Sequence, residues 1–290
     1  MVEARMRVLI DYLLWPCLII GPTMLAGVLL NHGVPNVVMT LLVVGALVVL
    51  VAILERVRPE RIEHIPLDQP LWIEAGHLLF GLELGYALAL SLCVLVAQSV
   101  REFLHLPMWP SNWPITYQLI VGLLLYELAS YWQHRLAHLV PRFWRFHALH
   151  HSGARLNLAR TGRFHIIDVG TAAFMGYLSL MLLAAPDYVL AQLGVLLSAL
   201  GILQHANLRI RTPNWLDHLV CTPAVHRHHH SCIRAESDSN YGNSLMVFDL
   251  LFNSFRRPHP QGPEGIGIEG DAVPRGFLRQ VLSPLFGKWK

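Results

Sequence analysis

The sequence predicts an all-α, polytopic membrane bundle of about six spans in hairpins, with a cytoplasmic helical cap carrying a metal site. Three observations predict it. Hydrophobic residues make up 54% of the chain and charged residues 14%; apolar stretches of spanning length recur along it; and 12 of its 17 histidines crowd between 134 and 230. A mean hydropathy of +0.44 over 290 residues sets the chain apart from ordinary soluble domains.

A spanning helix needs roughly 20 mostly apolar residues. Stretches of that length lie near 9–31, 34–54, 76–100, 115–133, 168–185 and 188–206. The first follows Arg5 and Arg7 like a signal peptide, but it is longer than a signal h-region and a second apolar stretch follows at once, so it reads as an uncleaved anchor. Lys and Arg are retained on the cytoplasmic side of membranes. With the N-terminus inside, 21 of the 22 basic residues fall in inside segments and only Arg101 falls outside. That bias places both termini in the cytoplasm, in a bacterial inner membrane or, for a eukaryotic source, the endoplasmic reticulum. It also makes nucleic acid a poor explanation of the net charge of +3. Cys17, Cys93, Cys221 and Cys232 form no CxxC pair, so neither a disulfide frame nor a thiolate metal site is expected.

Three segments follow from this pattern. Residues 1–114 hold the N-terminal hairpins and the Arg- and Pro-rich linker Glu55–Leu71, with Pro107–Pro114 read as an interfacial aromatic loop. Residues 115–255 hold the histidine clusters and are expected to form the metal-binding unit. Residues 256–290 are a cytoplasmic tail in which Phe277, Leu278, Val281, Leu282, Leu285 and Phe286 recur at helical spacing among Arg275, Arg279 and Lys288, with Pro284 expected to bend the helix. This helix lies either on the lipid surface or in the core of the cap.

The histidines form three clusters: His134-Arg-Leu-Ala-His138, His147-Ala-Leu-His150-His151, and His226-Arg-His228-His229-His230. Residues i, i+3 and i+4 share a helix face, so each cluster presents two or three imidazoles together. His228 stands on the far side of its turn from His226 and is left out. Bringing many imidazoles into one dry place without compensation is costly, and metal binding supplies the compensation. His205, at the inside end of the last span, and His165, just before the fifth, join the candidates. Nine or ten imidazoles exceed the capacity of one ion, whereas two ions taking four or five each would use them. Imidazole suits Zn, Cu, Fe and Ni alike. Between 134 and 230 the acids are Asp168, Asp187 and Asp217, so the Glu-rich di-iron pattern of helix bundles is absent. Asp217, Asp238, Asn207 and Asn240 are the expected hydrogen-bond partners of imidazole N–H groups, fixing tautomer and ring orientation. His77, polar within a span, is expected to have a reason to be there.

The order HxxxH, HxxHH, HxxHH and its intervals resemble the fatty acid hydroxylase and sterol desaturase superfamily of membrane di-iron enzymes, over roughly residues 120–255. Asp238-Ser-Asn240-Tyr241-Gly242, Asp249-Leu-Leu-Phe252, Asn207 after His205, and Glu55-Arg56 before Pro59 are similar to further family elements. The resemblance implies two Fe ions as cofactors and O2 as co-substrate. It further implies hydroxylation or desaturation of an unactivated C–H in a membrane lipid, whether sterol, fatty acyl or ether lipid. Electrons would come from a separate cytochrome b5-, ferredoxin- or flavoprotein-type donor, since His259-Pro-Gln-Gly leaves no room for a fused cytochrome b5 domain. Gly201 stands where some members carry a further histidine, which weakens the match to the fatty acid 2-hydroxylase branch. A zinc hydrolase would need a general base, usually Glu, beside its ligands, and no Glu lies between 134 and 230. A metal transporter or a bis-histidine haem protein would place ligands near the bilayer midplane rather than at one face.

Overall fold

A computed structural model of the chain describes residues 2–104, 109–270 and 274–286; Pro107, His105 and Lys288 lie outside the described residues, as do the side chains of Arg5 and Arg7. Among the described residues there are helices and isolated bridges but no strand. Helix α1 (Val2–Asn31) turns through Gly33, whose φ of 77° suits a residue without Cβ, into α2 (Asn36–Val57). After the linker come α3 (Leu71–Gly76), a π-helical stretch His77–Glu83 and α4 (Leu84–Leu104), one continuous rod. Then follow α5 (Ile115–Leu139), α6 (Pro141–His151), α7 (Ile166–Leu182) and α8 (Asp187–His205), and finally the short α9 (Pro223–His229), α10 (Arg234–Ser237), α11 (Val247–Leu251) and α12 (Phe277–Phe286).

Among the described residues four helices are long and apolar enough to cross a membrane: Val8–Asn31, Asn36–Val57, Leu71–Phe103 and Asp187–His205. Their outward faces are apolar, with Val37, Leu41 and Leu95 more than 60% exposed. Such a surface suits lipid and would be an aggregation liability in water. At the two other expected span positions the structure also has helices. However, α5 is interrupted by Gln118, Glu127 and Ser130, all buried, and α7 has only 17 residues. Each buries one face, α7 lying against α4 and α5 around Ala89, Cys93, Tyr126, Ala173, Tyr177 and Leu180, while Ile120, Leu124 and Leu128 of α5 and Ile167 and Met175 of α7 stay exposed. A second core joins α1, α2 and α8 through Leu18, Leu47, Val51, Ala199 and Leu203.

The linker is sewn to the end of α8. Asn207 accepts from the Arg61 N–H (2.9 Å) and donates to the Arg61 carbonyl (2.7 Å), while the Glu55 carboxylate takes the backbone N–H groups of Asn207 and Leu158. Arg163, fully buried, donates to Glu74 on α3 at 3.0 Å and so fixes the loop between α6 and α7. Helix α12 buries Gln280, whose Oε1 accepts from His77 Nε2 at 2.8 Å, and this bond accounts for the histidine in the span. Its Leu278, Leu282, Leu285 and Phe286 are exposed, while Gln280 and Pro284 are buried.

Candidate metal centre

Three helices and one helix end deliver the rings. Helix α5 runs past its apolar part to place His134 and His138 one turn apart. Pro141 starts α6 at its first turn, where a missing N–H is harmless; the helix then divides its histidines, sending His147 and His151 to one side and His150 to the other. Thr222 caps α9 by accepting from the Val225 N–H, and α9 divides its own set in the same way. The result is two groups. His134, His138, His147, His151 and His229 each offer a nitrogen, all within 4.8 Å of one another. His150, His205, His226 and His230 form a second group within the same limit. All nine are buried. The groups touch: His151 and His230 stack with ring centroids 4.3 Å apart.

The hydrogen bonds decide what these nitrogens are for. His134 Nδ1 lies 2.8 Å from the Tyr241 carbonyl, His147 Nδ1 2.9 Å from Asp168 Oδ2, His138 Nδ1 3.2 Å from Asp238 Oδ1, and His229 Nδ1 2.7 Å from the Ser239 carbonyl. Carbonyl and carboxylate oxygens only accept, so each Nδ1 carries the proton and donates, and each Nε2 is left with a lone pair. Those lone pairs point at one another. His134 and His147 Nε2 are 3.1 Å apart, and the buried Nε2 atoms of His138 and His229 have no hydrogen-bond partner. In the second group His205 donates Nδ1 to the Gly201 carbonyl (2.8 Å), while its Nε2 lies 3.3 Å from His150 Nε2 and 3.1 Å from His226 Nε2. Facing lone pairs repel, and a cation between them converts the repulsion into ligation. Burial, with the neighbouring rings adding to it, lowers the pKa of His134 to about 3 and those of His138, His150, His151, His226, His229 and His230 well below the usual imidazole range. Neutral imidazole is the form that binds metal. The donor set thus fits two nitrogen-ligated ions.

His165 does not join either group. It caps α7, its Nδ1 accepting from the Ile167 N–H (3.1 Å) and its Nε2 donating to the Val281 carbonyl (3.1 Å), so both nitrogens are already used. His228 also stands apart, as its place on the turn predicts. Of the four expected imidazole partners, Asp238 alone is hydrogen-bonded to a ring. Asp217 accepts from the Thr222 hydroxyl (2.7 Å), Asn207 clamps the linker, and Asn240, at φ 54°, pairs with the backbone of Arg256. Their work is to shape backbone, a job short polar side chains do well.

Sequence reasoning passed over Asp168 as the partner of His147. It also passed over the buried Glu127, which accepts from the N–H groups of Asn243 (2.6 Å) and Ser244 (2.9 Å). Asp249 takes the N–H groups of Tyr241 and Gly242 in the same loop. Those two carboxylates hold the loop whose Tyr241 carbonyl orients His134. An acid within an apolar span was the available signal for Glu127; Asp168 gave none, because its partner lies 21 residues away in another helix.

Residues 119–254 match the family model described as fatty acid hydroxylase. The chain is 37% identical over 246 residues to the ornithine lipid hydroxylase OlsE of Rhizobium tropici, covering 83% of this chain and 74% of that protein. It is 31% identical over 163 residues to the alkylglycerol monooxygenase of Homo sapiens and 29% identical over 185 residues to that of Caenorhabditis elegans; these alignments cover 56% and 63% of this chain. The chain spans about a third of the length of those two monooxygenases, 34% and 35%. No solved structure matches it. With the paired histidine groups and the extended similarity to a relative of nearly its own span, the chain belongs to the fatty acid hydroxylase family of oxidoreductases.

Proposed function

We propose that this protein is an O2-dependent di-iron oxygenase that hydroxylates a C–H bond of a polar membrane lipid, using electrons from a separate carrier. The observation that carries the reading is nine buried imidazoles in adjacent groups of five and four, five of them donating Nδ1 protons outward and leaving their Nε2 lone pairs inside the groups. Bound iron would supply the one-electron and O2 chemistry that no side chain can. His134, His138, His147, His151 and His229 would hold one ion, and His150, His205, His226 and His230 the other. Asp168 and Asp238 keep the rings of His147 and His138 in the ligating tautomer. The buried positions of all nine rings exclude bulk water.

His134 and His138 end α5 and His205 ends α8, so the centre sits where the bundle meets the cap. A lipid with its head in the interface would send the reacting carbon between the helices without leaving the membrane. Ornithine lipid hydroxylase and alkylglycerol monooxygenase, the relatives' names, both denote oxygen insertion, which favours hydroxylation over desaturation and a lipid with a polar head over a carotenoid. The reading takes 115–255 as the catalytic unit, 1–114 and 256–290 as its membrane and cap partners, and six spans with cytoplasmic termini.

Protein purified from iron-replete cells is expected to hold two irons per chain, and His150→Ala to lose iron and all lipid oxidation. Comparative lipid mass spectrometry of cells with and without the gene is expected to show a lipid that gains one oxygen. Stoichiometric zinc with full activity after iron chelation would refute the reading, and a product lacking two hydrogens would make the enzyme a desaturase.

A further inference from the structure

The nine rings are buried, yet one of them, His151, lines a pocket built from residues outside the membrane-crossing helices. A cavity of about 200 Å³ is bounded by Trp144 and His151 of α6, by Cys232, Arg234 and Ser237, and by the segment Gly267–Glu269. None of these residues belongs to a membrane-crossing helix. The segment is pinned in place, Gly267 N–H donating to the His230 carbonyl at 3.0 Å. At that volume the pocket is smaller than the roughly 300–1,000 Å³ sites that enclose drug-sized ligands, too small to serve as a slot for a lipid.

Trp144 stands i−3 from His147 and i−7 from His151, on the same face of α6. Its ring centroid lies 5.1 Å from His138, 5.5 Å from His151 and 6.2 Å from His147, three members of the five-ring group. Its indole N–H is buried without a partner, whereas a buried tryptophan kept for packing usually finds one. On its outer side the Arg234 guanidinium sits 5.3 Å from the ring. Arg234, with 56% of its side chain exposed, also donates to Asp238 (2.9 Å) and to the His138 carbonyl (3.1 Å), and Asp238 in turn holds His138 Nδ1. Surface and ring are therefore joined by an aromatic contact and by a hydrogen-bonded chain. Arg142 and Arg145 are exposed on the turn that carries Trp144, against the single acid Glu269 among the pocket residues.

Building on the proposed oxygenase, we propose that Trp144 and Arg234 form the electron port of the five-ring group, where an acidic one-electron carrier protein docks its redox group over the pocket. The reaction requires such a partner. Converting C–H to C–OH places one atom of O2 in the lipid and releases the other as water, consuming two protons and two electrons that the carrier supplies one at a time. Electron transfer through protein weakens exponentially with distance, so the port must be the place where a π-system bridges the surface to a ligand. Trp144 provides that coupling without itself holding charge, and Arg234 attracts the carrier's carboxylates; both are positioning residues.

The test uses the full-length iron-loaded protein in nanodiscs and follows anaerobic reduction of the metal by stopped-flow absorbance. One reductant is an acidic [2Fe–2S] ferredoxin and the other is dithionite, which needs no docking. Trp144→Leu and Arg234→Glu are each expected to lower the ratio of ferredoxin-driven to dithionite-driven reduction by about tenfold or more, with Trp144→Phe intermediate; close interfacial charge pairs carry effects of that order. Arg234→Glu is also expected to flatten the dependence of the ferredoxin rate on salt. An unchanged ratio in either variant overturns the port, as does reduction by the ferredoxin no faster than by its charge-reversed form. Protein without any dithionite-reducible metal would instead defeat the proposed oxygenase, and this inference with it.

Discussion

The five-ring group draws on all three clusters and the four-ring group on two of them plus His205, and the two groups are held in different ways. In the five-ring group, four rings hand their Nδ1 protons to partners outside it, two of them carboxylates on α7 and in the cap. In the four-ring group, His205 bonds to a carbonyl of its own helix, His226 Nδ1 lies 4.0 Å from Cys221 Sγ, and His150 Nδ1 is unpartnered while its ring stacks on Phe164 at 4.1 Å. One site is anchored by charge, the other by packing. Hydrogen bonds donated by ring N–H groups to carboxylates raise ligand basicity and fix ring orientation, so the five-ring site is expected to bind metal the more tightly of the two.

Removing the anchors should separate the sites most. Asp168→Ala is expected to weaken the more tightly bound metal about 10–100-fold, whereas Cys221→Ala leaves the weaker one within experimental error. Competition with a chromophoric chelator reads both, and equal losses would erase the distinction. A smaller contrast is kinetic. Chelation of the native protein should be biphasic, with the slow phase accelerated by Asp168→Ala and the fast phase by Phe164→Leu; a single phase in all three proteins would contradict unequal sites.

Asn207 and Asp168 offer a further contrast, because one supports backbone and the other supports a ring. Asn207→Ala removes two hydrogen bonds between linker and α8, at a cost of about 1–3 kcal/mol. A lower melting temperature at full metal content is expected, and loss of metal without loss of stability would restore Asn207 to the centre. A last contrast concerns acid. In the metal-free protein His134 is lowered from 6.5 to about 3, burial being the largest cause, so the unfolded chain binds more protons than the folded one. Stability is therefore full above pH 6.5 and declines as pH falls from there toward 3. Denaturant midpoints between pH 7.5 and 5 test this in the apo protein, and a midpoint independent of pH would exclude neutral buried rings.

The parts of this molecule written in local spacing were legible in advance. The i, i+3, i+4 pattern gathered eight of the nine rings and set His228 aside, the place of His205 at the end of a span supplied the ninth, and hydropathy located the long helices. What failed depends on distant partners. His165 has the residue type and the approximate position of a ligand, but the carbonyl of Val281, 116 residues later, takes its proton. Asn207, Asn240 and Asp217 lie near histidines in sequence and turn to backbone or hydroxyl groups in space. Asp168 was visible as an acid and hidden as a partner. Helix α5 tolerates Glu127 and Ser130 because they lie on its buried face and the acid is satisfied by a loop, which hydropathy cannot register.

Two unequal histidine groups are expected to hold one metal ion each. Metal analysis with Mössbauer spectroscopy of iron-57-loaded protein tests that expectation most directly in three samples: native, His150→Ala from the four-ring group, and His147→Ala from the five-ring group. Two irons per chain in two environments are expected in the native protein, with a different one of the two signals lost in each variant. A single iron in the native protein, or loss of the same signal in both variants, would contradict it.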